Sequence, residues 1–94
     1  MQHHILVKWK ERPADVPARQ REVEAVFAPC LEVPGVHRVE VIPNVIDRPN
    51  RYDLLIRITM DEAALPLYDD CDAHHRWKDE YGALIEKKAI FDCE

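Results

Sequence analysis

Residues 52–60 read Tyr52-Asp53-Leu54-Leu55-Ile56-Arg57-Ile58-Thr59-Met60. In an extended chain Tyr52, Leu54, Ile56, Ile58 and Met60 share one face, while Asp53, Leu55, Arg57 and Thr59 share the other. Alternation of this length predicts a strand in a sheet with one well-buried side. Such a strand needs neighbours to pair with and a layer packed on its apolar face.

Partners are found on both sides of it. Residues 3–10 alternate in the same way, with His3, Ile5, Val7 and Trp9 on the better-buried face and His4, Leu6, Lys8 and Lys10 opposite. Val36 to Ile42 forms a further strand, with Val39 and Val41 on one face and Val36, Glu40 and Ile42 on the other, and Pro43 stops it. Lys88 to Cys93 closes the chain as the fourth strand. Helical periods lie between the first and second of these strands and between the third and fourth. Asp15 caps a helix that tolerates Pro17 in its first turn and carries Val23, Val26, Phe27, Cys30 and Leu31 as its core stripe. Pro29 must kink or loosen that helix, and Gly35 supplies its exit. Asn44 to Arg51, with Pro49-Asn50, is a loop.

After Met60, Asp61 caps a short helix with Ala64, Leu65, Tyr68 and Cys71 at helical intervals and Pro66 in its first turns. Asp72 caps the next, on which His74, Trp77, Tyr81, Leu84 and Ile85 share one arc, while His75 points away. Strand, helix, strand, strand, broken helix, strand makes an α+β, ferredoxin-like domain spanning residues 1–94: a four-stranded antiparallel sheet with helices on one face. The other face, with Leu6 and Leu55, stays open, and a second copy covers it economically, so a homodimer through that face is expected.

Composition narrows the partners. Hydrophobic residues make up 47% of the 94 residues and charged residues 33%, which suits one folded domain rather than disorder. The net charge of -5, with scattered basic residues, offers no stripe for phosphates, so nucleic acid is not expected as a partner. The apolar run at the start is too short for a signal sequence or membrane span, and Lys8 and Lys10 interrupt it. Cys30, Cys71 and Cys93 form an odd set without close pairing, which fits reduced thiols in a cytoplasmic protein. Cys71 and His74 have metal-compatible spacing but no second pair, so neither a metal nor a cofactor is expected.

The chemistry concentrates in Tyr68 to His74, Y-D-D-C-D-A-H. Both the phenol and the imidazole fall on apolar arcs, so each either lines a pocket or packs in the core with its polar tip satisfied. Cys71 reads as a small buried cysteine, Asp69, Asp70 and Asp72 as a solvated edge, and His37 as exposed.

Laid out in order, these segments resemble the stress-responsive dimeric α/β-barrel (Dabb) family along nearly the whole chain. The resemblance rests on the opening His3-His4-Ile5-Leu6-Val7-Lys8-Trp9-Lys10 and on Pro34-Gly35-Val36 with Val39, Val41 and Pro43-Asn44. It continues through Tyr52-Asp53-Leu54, the acidic turn after Met60, Tyr68, His74 and Phe91-Asp92. It implies two ferredoxin-like protomers packed sheet to sheet into a dimeric α/β barrel. The olivetolic acid cyclase-like branch of that family closes a polyketide by aldol condensation with a tyrosine and a histidine, to which Tyr68 and His74 correspond, and His3 matches a histidine at the start of its first strand. This chain departs from the family at Cys71-Asp72-Ala73-His74, where His-Pro-x-His is common, at Pro66, and at Leu54, where the cyclase has another pocket histidine.

By that resemblance His74 removes a carbon-bound proton, Tyr68 orients the substrate oxygen and His3 assists, in a cavity lined by Ile5, Val7, Phe27, Ile56, Trp77 and Tyr81. The small molecule so handled is apolar or carbonyl-containing. The alternative is a non-catalytic stress-response dimer or assembly protein. A cavity reaching His74 separates the two.

Overall fold

The computed structural model describes residues 1–94. Strands β1 (Gln2–Trp9), β2 (Val36–Pro43), β3 (Leu54–Met60) and β4 (Ile85–Cys93) form one sheet in the order β2-β3-β1-β4. All three pairings are antiparallel. Helices α1 (Val16–Phe27), α2 (Leu65–Asp69) and α3 (Asp72–Tyr81) lie between the strands in sequence. The expected α+β, ferredoxin-like arrangement is therefore the observed one. No helix is long and apolar enough to cross a membrane.

Burial alternates strictly along β1 and β3, with His3, Ile5, Val7 and Trp9 meeting Leu54, Ile56, Ile58 and Met60 on the inner face. Val23, Val26 and Phe27 of α1 and Trp77 of α3 fill the other side of this layer. Phe27 is fully buried, so Phe27→Ala would cost about 3–5 kcal/mol.

β3 begins at Leu54, two residues later than the alternation suggests, although Asp53 remains bonded to β1. Its backbone N–H donates to the Val7 carbonyl at 2.8 Å, and its carboxylate accepts the Trp9 N–H at 2.9 Å. β4 begins three residues earlier than expected, at Ile85, since α3 stops at Tyr81 and a single 3-10 turn, Gly82–Leu84, leads into the strand. Leu84 thus leaves the helical arc and is exposed.

Val36 is a correction to the expected face assignment. The pairing register shifts between Val36, opposite Met60, and Arg38, opposite Thr59, leaving His37 as an extra residue. The bulge reverses the alternation, so Val36 points inward with Val39 and Val41.

Asp15 caps α1 as expected, its carboxylate accepting the Ala18 N–H at 2.9 Å. Pro29 ends the helix by converting the chain to a 3-10 segment, Ala28–Glu32. The tighter winding keeps Cys30 buried but turns Leu31 outward, so Leu31 drops out of the core stripe. Gly35 then adopts φ 89°, and its carbonyl accepts the Asp61 N–H at 2.8 Å. A Cβ there would stand 2.9 Å from Ala64 Cβ, so glycine is required by conformation and by space.

Two expected caps act differently. Asp61 occupies the cap position of the 3-10 turn Glu62–Ala64, but its carboxylate pairs with His37 at 2.9 Å instead of closing the helix. The residue before α3 is Cys71, not Asp72, which is already helical and favours the N-terminal end of the helix by its charge.

Candidate active site

The site follows from an incomplete second layer. β4 is an edge strand whose inner face carries Lys88, Ile90 and Asp92, opposite Val7, Ile5 and His3 of β1. The helices do not reach over it, and Ile90 remains 51% exposed although it faces the helix side. The gap between β4 and the α2–α3 corner is an open cleft of about 360 Å³. Ile5, Leu65, Trp77 and Ile90 form its apolar surface, and His3, His74, Asp69, Asp92, Lys78 and Lys88 supply its polar groups.

His74 is held by the helix junction. Its Nδ1 lies 2.8 Å from the Asp69 carbonyl oxygen, which only accepts, so Nδ1 carries the proton and donates. Nε2 makes no hydrogen bond within the protein and is left as a lone-pair acceptor. Burial, the largest influence, lowers the His74 pKa below 6.5, the bond to Asp69 opposes it, and the Lys78 ammonium lowers it further. The imidazole is therefore neutral at pH 7, the form a general base requires.

His3 is buried, and its Nδ1 donates to Asp92 Oδ1 at 2.5 Å. The carboxylate fixes the ring orientation across the β1–β4 pair. Asp92, like Lys78 and Lys88, is a polar residue of the site that residue patterning missed, although Phe91-Asp92 belonged to the family resemblance. Pairing β4 to β1 with His3 opposite Asp92 reveals it.

Tyr68 stands between the two histidines without joining the cleft. Its ring centroid is 5.3 Å from His3 and 4.9 Å from His74. The side chain is fully buried, however, and its hydroxyl has no hydrogen-bond partner. Burial is the main cause that raises its pKa, and the nearby Cys30 and Cys71 thiols add to it. Burial likewise pushes the Cys30 thiol up to about 12, with Cys71 contributing, so Cys30 is an unreactive core thiol.

Of the expected lining residues, Ile5 and Trp77 reach the cleft, whereas Val7, Phe27 and Ile56 lie wholly inside the core. Tyr81 is beyond the cleft, stacked on Trp77 at 5.2 Å, with its hydroxyl 3.4 Å from Glu22. His75 is exposed beside Asp70. His, Cys, Asp and Glu side chains form no group of three or more suited to a metal.

No protein-family model matches the sequence, and no curated protein does either. Solved structures do match in shape. A dabb family protein with a ferredoxin-like fold from Mesorhizobium loti superposes with a TM-score of 0.73 at 17% identity, covering 99% of this chain and 93% of that one. A dimeric ferredoxin-like protein of unknown function from Jannaschia sp. gives 0.74 at 21% identity, covering 99% and 96%. The hydroxynitrile lyase from Passiflora edulis gives 0.72 at 11% identity, covering 96% and 87%. The chain has the ferredoxin-like fold that these proteins share.

Proposed function

We propose that this chain is a Dabb-family homodimer that binds a small carbonyl-containing molecule in the cleft between β4 and α3, with His74 as the general base for a carbon-bound proton. The observation that carries this reading is an imidazole with its Nδ1 committed to the Asp69 carbonyl and its Nε2 unpartnered, on the wall of an open cleft. An acidic C–H next to a carbonyl placed within hydrogen-bonding reach of Nε2 would lose its proton to it. His3, fixed by Asp92, is the second imidazole in the same cleft and orients the bound carbonyl. Tyr68 is a positioning residue, holding both imidazoles by packing rather than touching the substrate.

The fold is shared with a hydroxynitrile lyase, so it accommodates catalysis, but the reaction proposed here is argued from the site. Dimerisation is supported by the dimeric proteins of the same fold and by the open sheet face, where Leu6 pairs with Leu55 and Phe91 is 62% exposed. Covering that face with a second copy removes this apolar surface from water. Three free thiols favour a cytoplasmic setting.

The test is thermal stabilisation by a panel of β-dicarbonyl compounds, compared between the native chain and His74→Ala. Stabilisation confined to the native chain supports the site, because a ligand stabilises only the state that binds it. Equal shifts in both would remove His74 from it, and no shift with either would favour the non-catalytic dimer.

A further inference from the structure

The cleft holds two cations for which the fold has no use. Lys78, exposed on α3 one turn after His74, and Lys88, on the inner face of β4, both line the cleft. Neither forms an ion pair anywhere in the protein. Their neighbours are otherwise occupied: Lys87 lies over the Tyr52 ring at 5.5 Å, and Lys8 donates to the Arg51 carbonyl at 3.1 Å. The two cleft carboxylates do not answer them: Asp92 is taken by His3, and the Asp69 side chain forms no ion pair.

We infer that the molecule bound in this cleft is an anion, a 3-oxo carboxylate, whose carboxylate is held by Lys78 and Lys88 while its apolar end lies on Ile5, Leu65, Trp77 and Ile90. The inference rests on the proposed role of His74 and assigns that site its substrate class. Two lysines on facing elements suit a carboxylate, and each adds charge–charge attraction in a partly shielded cleft.

The same cations serve the proton transfer. The carbon–hydrogen bond between the two carbonyl carbons breaks, the proton passes to His74 Nε2, and the electron pair moves to the ketone oxygen as an enolate. Imidazole becomes imidazolium, so charge is conserved, and the ammonium groups stabilise the enolate oxygen. They take the part for which the buried Tyr68 hydroxyl is out of reach.

The experiment uses 3-oxo-3-phenylpropanoate and its neutral ethyl ester as probes, titrated by calorimetry at low salt into the native chain, Lys78→Met, Lys88→Met and the double variant. Native protein should bind the carboxylate more tightly than the ester, and that preference should shrink as salt is added. Each single variant should weaken carboxylate binding by about threefold to fivefold, the size of a partly exposed charge pair, and leave ester binding unchanged. Both lysines are exposed, so the variants should fold, which circular dichroism checks. A second readout needs no ligand. By nuclear magnetic resonance the His74 pKa should rise in the double variant, with Asp69, Asp92 and His3, the other ionisable groups facing the cleft, left intact. Equal affinity for carboxylate and ester, or carboxylate binding that survives the double variant, would overturn the anion assignment alone. Failure of native protein to bind either probe would overturn both it and the cleft as a carbonyl site.

Discussion

The rings of Tyr68 and His74 lie 4.9 Å apart and tilted by 40°, yet they face different surroundings. His74 lines an open cleft, and Tyr68 is sealed in the core with an unpartnered hydroxyl. Their closeness is that of packing, and it separates His74 from the group that sequence spacing would pair with it.

Tyr68→Phe tests this directly. Removing a buried hydroxyl that makes no hydrogen bond relieves a desolvation cost, so the variant should be as stable as the native chain or more stable by about 1 kcal/mol. Urea denaturation measures it. Ligand binding at His74 should be unchanged, and a large loss of binding would return Tyr68 to the site.

Asp92→Ala should do the opposite. It leaves the buried His3 Nδ1 without its acceptor, at a cost of roughly 1–2 kcal/mol because the site is partly open to water. The midpoint of urea unfolding reports it, and Asp92→Asn should recover part of the loss.

Stability should also depend on pH through His74. Its pKa is lowered in the fold from 6.5, so the unfolded chain takes up the proton first as pH falls. The stabilisation is complete above 6.5 and is lost as pH drops from there through the lowered value. His74→Gln should flatten that part of the stability–pH curve, read from thermal midpoints between pH 7 and pH 4.5; an unaltered curve would show that His74 has an ordinary pKa.

Gly35→Ala meets a left-handed backbone and Ala64 Cβ at 2.9 Å, so a loss of roughly 2 kcal/mol is expected. Thermal unfolding checks it. A neutral result would mean that the Gly35–Ala64 approach is looser than described.

The open sheet face makes its own prediction. Leu6→Lys combined with Leu55→Lys puts two charges at register partners on that face. Sedimentation should then give a monomer where the native chain gives a dimer. A native monomer at micromolar concentration would contradict the proposed assembly.

What could be read in advance followed the periodicities. β1 and β3 are buried on one side along their full length, so alternation alone sets their faces and hence the sheet. The bulge at His37 has no such signal, since one inserted residue reverses a face without a characteristic residue type. β4 is an edge strand exposed on both sides, and its Lys88-Ile90-Asp92 row shows little contrast with Lys87-Ala89-Phe91. That low contrast hid Asp92 and Lys88 from a residue pattern. His74 was legible because it breaks an apolar arc, whereas the direction of the Tyr68 hydroxyl depends on contacts with Cys30 and Cys71 that are distant in the chain or across a turn.

The most direct measurement is the nitrogen resonances of the His74 ring, followed through a pH titration with and without a β-dicarbonyl ligand. A neutral ring protonated at Nδ1, a pKa below 6.5, and a shift of the Nε2 resonance on ligand addition are expected. Protonation at Nε2, or a ring that ignores the ligand while other cleft resonances move, would contradict His74 as the base.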